Sequence, residues 1–166
     1  MAEPARSGRR DCVSRQTKRC IKFGSFVLLT LYIAVLIYVC FFSEDYGRDV
    51  ITSYYRYNLI PFKEIRRFYI YRDVVGIRAF LANLFGNVLA FMPYGFFMPI
   101  LRPKLRRMSR MFLAAFLLSL TIEITQLLTR VGSFDVDDLI LNTAGGIAGY
   151  LLFYIMNKIR SKWDGA

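Results

Sequence analysis

The sequence predicts an all-α fold: an integral membrane bundle of four transmembrane helices, both termini cytoplasmic, with an extracytoplasmic interfacial segment between helices 1 and 2. Run lengths predict the spans. Four apolar stretches approach or reach the roughly 20 residues needed to cross a bilayer's hydrocarbon core. Charge predicts their orientation, because the three most uniformly basic segments fall on one side of a four-span map. Composition agrees, since 55% of the 166 residues are hydrophobic.

The leader, residues 1–22, carries Arg6, Arg9, Arg10, Arg15, Lys18, Arg19 and Lys22 against Glu3 and Asp11. Span one, Phe23–Phe42, has no charge. Its apolar run is too long for a signal peptide and no A-x-A site follows, so it reads as an uncleaved anchor. The next segment, Ser43–Arg78, holds eight aromatics between Tyr46 and Tyr71, suited to the headgroup belt. Pro61 disfavours helix at Ile60. Phe62, Ile65, Phe68 or Tyr69, and Arg72 then have helical spacing, which predicts a short interfacial helix over the bundle.

Span two, Ala79–Leu101, is uncharged, and Pro93, Gly95 and Pro99 are expected to kink or loosen it. The basic link "RPKLRRMSR" leads to span three, Met111–Leu128, whose one charge is Glu123. A short link, Thr129–Asp137, leads to span four, Leu139–Met156, and the tail adds Lys158, Arg160 and Lys162. Leader, basic link and tail are placed in the cytoplasm. The chain thus divides into a leader (1–22), a membrane domain (23–157) and a tail (158–166).

Several function classes drop out. The chain has no histidine, which excludes Ser-His-Asp hydrolysis and histidine-dependent lipid phosphatase chemistry within it. Cys12, Cys20 and Cys40 do not make a disulfide framework. The formal net charge of +11 flanks spans and forms no patch on a soluble fold, so anionic lipid, not nucleic acid, is the expected partner of the basic residues.

The polar residues within the spans carry the functional signal, because ionisable groups in a membrane are costly and call for a partner or a role. Glu123 lies roughly 8 Å inside the outer end of span three. Ser119, Glu123, Gln126 and Arg130 form one helical stripe, and Asp135, Asp138, Asn142, Gly145 and Gly149 form another on span four. Asn83 and Asn87 stand at i and i+4 near the start of span two. All three sets fall in the outer third of the bundle. A purely structural account also fits: Asp135 as N-cap with Asp138 at N3, Asp137 solvated, and Glu123, Gln126, Asn87 and Asn142 as an interhelical network that sets packing. Arg130 is expected to pair with an aspartate, or with Glu123 through Gln126.

In order, Arg56, "NLIPF" (58–62), "NLFGNVLAFMPYGFFMP" (83–99), "EITQ" (123–126) and "DVDDLILNTAGGIAGY" (135–150) resemble the VanZ-like family over residues 56–150. The resemblance carries over Arg56, Asn58, Pro61, Asn87, Pro93, Gly95, Glu123, Gln126, Asp135, Asp138, Asn142 and Gly145. It implies a small bacterial envelope protein associated with teicoplanin resistance, with no settled reaction.

Three readings follow. In the first, an outward polar pocket binds a membrane lipid, a lipid-linked envelope precursor or a lipoglycopeptide. Arg56 or Arg130 then meets an anionic group, and Asn58, Asn83, Asn87, Gln126, Asp135, Asp138 and Asn142 complete the ligand-binding set. In the second, the protein is an enzyme on a lipid-linked substrate. Glu123 is its general base, and Asp135 and Asp138, with Asp137 if span four starts irregularly, hold Mg²⁺ or Mn²⁺. In the third, the bundle docks on a larger envelope protein through the Gly145/Gly149 face.

Overall fold

The computed structural model describes residues 5–42, 55–71 and 77–163, with side chains throughout except at 5–14, 77, 79, 80, 82, 83, 162 and 163. Expectations for residues 43–54, for Arg72 and for the Asn83 side chain lie outside that description.

The chain builds α1 (Ala5–Phe42), β1 (Tyr57–Asn58), α2 (Lys63–Ile70), α3 (Ile77–Leu101), a 3₁₀ turn (Pro103–Arg106), α4 (Met108–Thr129), β2 (Phe134–Asp135) and α5 (Val136–Trp163). Four helices are long and apolar enough to cross a membrane: Arg15–Phe42, Leu84–Leu101, Met108–Thr129 and Val136–Ser161. Their outward faces are apolar in the manner lipid requires. Phe23, Leu31, Val35, Leu89 and Leu128 are all exposed. On α4 the hydroxyls of Thr121, Thr125 and Thr129 each donate to the carbonyl four residues back, at 2.7 Å. No water is available to such groups in hydrocarbon, so internal satisfaction is the stable solution.

The core is a seam between α3 and α5, the most buried of the four spans. Small residues allow it. A Cβ added at Gly145 would lie 2.2 Å from the Val88 carbonyl oxygen, and one at Gly149 would lie 1.9 Å from that of Met92. Reciprocally, Gly95 of α3 sits against the Gly146 carbonyl of α5. In a bilayer the hydrophobic effect does not drive helices together, so this backbone approach is what dispersion can act on. The Gly145/Gly149 face is therefore filled by a helix of the same chain. Met111 and Ala115 of α4 complete the core with Tyr150 and Phe153.

Pro93 and Pro99 both lie inside continuous α3. Pro93 removes the N–H that the Leu89 carbonyl would accept, and beside it the Ala90 carbonyl accepts a hydrogen bond from the Tyr32 hydroxyl of α1 at 2.6 Å. A second tie to α1 comes from Gln126 Nε2, which donates to the Cys40 carbonyl at 3.0 Å. Helix α1 is otherwise the least buried span.

The expected short helix after Pro61 forms as α2, eight residues long. A parallel two-strand ladder joins the segment before it to the segment before α5, pairing Tyr57 with Phe134 and Asn58 with Asp135. The Phe134 N–H donates to the Arg56 carbonyl at 3.1 Å. Sequence reading foresaw no strand here, because two residues carry no readable period.

The seam makes a direct prediction. Gly149→Leu should abolish the stable bundle, seen as loss of the thermal transition in detergent. Gly24→Ala, where an added Cβ meets nothing within 4 Å, should be neutral or gain up to about 1 kcal/mol from helix propensity.

Candidate functional site

The stretch Asp135-Val136-Asp137-Asp138 organises one end of the bundle by sending each carboxylate to a different partner. Asp135 is the N-cap of α5, as the capping account expects. Its Oδ1 accepts the Asp137 N–H at 2.8 Å and Asn58 Nδ2 at 3.1 Å. Its own N–H donates to Glu123 Oε2 at 3.0 Å. Burial raises the Asp135 carboxyl above its ordinary pKa, and the hydrogen bonds from Asp137 N–H and Asn58 offset part of that rise.

Asp137 is not solvated, contrary to expectation; it is 1% exposed. Its carboxylate crosses to α2 and accepts the backbone N–H groups of Phe62, of Glu64 at 2.8 Å and of Ile65 at 3.1 Å. The cause lies in α2 itself. Its N-cap is Phe62, held at φ 63, which has no side-chain acceptor to offer. The orphan donors of that first turn need an oxygen from elsewhere. A helix start at "IPFKE" with no Ser, Thr, Asp or Asn in the cap position was the available signal for a remote cap.

Asp138 turns to α3 and accepts Asn87 Nδ2 at 2.5 Å. One turn down, Asn142 Nδ2 donates to Ser119 Oγ of α4 at 3.0 Å. Asn142 is 4% exposed, and its Oδ1 has no hydrogen-bond partner among the described residues. Glu123 and Gln126 are likewise buried. Asn87, Glu123, Gln126, Asp138 and Asn142 together line a cavity of about 60 Å³, closed on the α1 side by Leu36, Val39 and Cys40. At about 30 Å³ per water it holds one or two waters or a group of that size.

Other expected site residues stand apart. The Arg56 side chain is exposed, and only its backbone carbonyl takes part, in the ladder. Arg130 pairs with no carboxylate among the described residues. It ends α4 at φ 58 and lays its guanidinium 4.6 Å from the Tyr55 ring centre, with Nη2 3.3 Å from the Tyr55 hydroxyl. Gln126 reaches α1 and does not link Glu123 to Arg130. No group of three or more Cys, Asp or Glu side chains gathers in metal-ligand geometry among the described residues. The three aspartates are directed at three different sets of donors.

Two predictions test these assignments. Asp137→Asn keeps one acceptor oxygen of two, so Glu64 and Ile65 should lose amide-exchange protection as α2 loosens by about 1–2 kcal/mol. Asp135→Asn keeps the Oδ1 that caps α5. Because the folded state raises the Asp135 pKa, folding takes up a proton, so its contribution is greatest below about pH 3.9 and declines as pH rises through the folded-state value. The variant should flatten that part of the melting-temperature profile. Parallel profiles for wild type and variant would contradict the assignment.

Comparison with known proteins places this arrangement in a family. A family model described as VanZ/LLP1 matches residues 29–157. Protein VanZ of Enterococcus faecium is 30% identical over 133 residues, which is 79% of this chain and 74% of that protein. No solved structure matches. The matched residues take in the second half of the first apolar helix, the second and third, most of the fourth, the ladder and the polar cavity, and this multi-pass membrane protein belongs to the VanZ/LLP1 family.

Proposed function

We propose that the protein acts in the bacterial envelope as a binding protein that contributes to teicoplanin-type glycopeptide resistance. The cavity end faces outward, and the leader, the 102–110 link and the tail face the cytoplasm. The ligand is a lipid or lipid-linked envelope component presented at the outer leaflet.

The observation that carries this reading is the meeting of five polar side chains from α3, α4 and α5 on one small cavity where a buried Asn142 oxygen lacks a partner. A buried acceptor left open costs about 1–3 kcal/mol, which a donor group on a ligand or a water can recover. The cavity is well below the roughly 300–1,000 Å³ of pockets that enclose whole small molecules. The ligand therefore enters by one terminal donor group, and its apolar part lies outside, along the lipid face. Arg130, held by Tyr55 one turn beyond Gln126, meets the ligand's anionic part.

Glu123→Gln keeps an acceptor for the Asp135 N–H while removing the charge. Asn142→Ala removes the open oxygen. In a susceptible host expressing the chain, both should lower teicoplanin resistance severalfold while the protein accumulates in membranes at wild-type levels. Full resistance from both variants at normal abundance would reject the cavity as the site. Orientation is checked by a cysteine-free variant carrying Ser133→Cys, which should react with an impermeant thiol reagent in intact cells.

A further inference from the structure

The other end of the bundle holds a second, larger cavity that the reading above does not use. It measures about 680 Å³ and opens between α1 and the α3–α5 seam. Its walls are largely apolar, with Phe96, Phe97 and Ile100 from α3 and Phe153 and Met156 from α5. Arg106 also lines it, and among the described residues no acidic side chain does.

Arg106 is held in place for a reason written in the sequence. The carbonyl of Pro99, in the last turn of α3, would normally accept the N–H four residues on. That residue is Pro103, which has none. Arg106 Nε supplies the missing donor at 3.2 Å. The Arg106 carbonyl in turn accepts the Tyr150 hydroxyl at 2.7 Å, and its guanidinium carbon lies 5.8 Å from the Phe153 ring centre. Three contacts thus fix the arginine, while its terminal nitrogens make no hydrogen bond or ion pair among the described residues. A planar, pre-oriented guanidinium with unused donors matches the geometry of phosphate oxygens.

We propose that this cavity binds one anionic glycerophospholipid, its phosphate on Arg106 and an acyl chain along the apolar wall. The volume lies within the range of sites that enclose small molecules. The described charge at the cavity is basic: Arg160 lines it with Arg106, and Ile21, also in its lining, lies in sequence between Arg19 and Lys22 of the basic leader. The occupant also has a mechanical consequence. Helix α1 contributes Ile21 and Ser25 to the wall, so the lipid joins the least buried span to the seam.

The test uses the full chain purified in neutral detergent, with phosphatidylglycerol or phosphatidylcholine added at equal mole fraction. Native mass spectrometry counts retained lipid, and thermal unfolding reads the effect on the bundle. Wild type should retain one phosphatidylglycerol severalfold better than phosphatidylcholine and melt higher with it. Arg106→Gln should lose that preference. Arg106→Lys, which keeps charge without the planar fork, should weaken it, and this variant decides the matter if the glutamine variant does not fold. Arg102→Gln, at an exposed arginine outside the cavity, should keep the preference. Ser25→Phe, which narrows the wall without touching charge, should lower retention of both lipids.

Equal retention of the two lipids by wild type overturns the proposal, as does an unchanged preference in Arg106→Lys. Equal damage from Arg102→Gln reduces the effect to a diffuse basic belt, and equal stabilisation by inorganic phosphate makes it a free-anion site. Either result is also a rejection.

Discussion

Two helix starts depend on two aspartates separated by a single residue: Asp135 caps α5, and Asp137 supplies the oxygen that Phe62 cannot offer to α2. Asp135 ends β2 and Asp137 lies in the first turn of α5, so the backbone changes from extended to helical between them and their side chains diverge. Asp135 therefore closes α5 on its own chain, while Asp137 reaches across to close α2. Carboxylates at helix N-termini are stabilised by the oriented peptide dipoles as well as by the N–H groups they accept. With both ends tied to one point, β1 is brought alongside β2, Asn58 meets Asp135, and Glu123 finds the backbone N–H it accepts. The polar cavity lies beneath this junction.

Electrostatics in the described parts of the bundle follows a consistent division of labour. The acids are directed at amides and backbone N–H groups, and two prominent arginines rest on aromatic faces: Arg130 on Tyr55 at one end, Arg106 over Phe153 at the other. One i,i+3 pair, Arg67 with Glu64 on α2, is an ordinary salt bridge. A guanidinium on a ring keeps its in-plane donors available, whereas one locked to a carboxylate does not. Both arginines sit where the chain leaves a helical segment: Arg106 ends the 3₁₀ turn and Arg130 is the C-cap of α4.

The spans were legible because length and apolarity alone define a membrane helix. The stripes were legible because a 3.6-residue period assigns faces: Asn142, Gly145 and Gly149 are all buried, as their shared stripe requires. What escaped sequence reading is what depends on distant segments meeting. Asp137 falls off the stripe of Asp138 and Asn142 in a regular helix and so reads as solvated. Its true partners are 72 to 75 residues away. Arg130 was expected beside an acid because charge invites charge, yet a left-handed turn at its own backbone directs it to Tyr55. The ladder has too few residues to show an alternation, and no periodicity states the size of a cavity. The capping of α5 by Asp135 sits between these cases: local chemistry suggested it, and the tertiary fold added Asn58 and Glu123 to the same carboxylate and its N–H.

The glycine seam also has a kinetic meaning. With the carbonyls of Val88 and Met92 seated against Gly145 and Gly149, a slip of one residue would set the first carbonyl against Gly146 but drive the second into Tyr150. No continuous sliding path exists between α3 and α5, so the pair behaves as a single stiff spine. Helix α1, joined to α3 through a tyrosine hydroxyl and to α4 through a glutamine amide, is the least buried span and the part expected to be displaced most readily. Outward movement of α1 at Leu36 and Val39, which close the cavity on that side, is therefore the displacement that would uncover the buried oxygens with least disturbance of the spine.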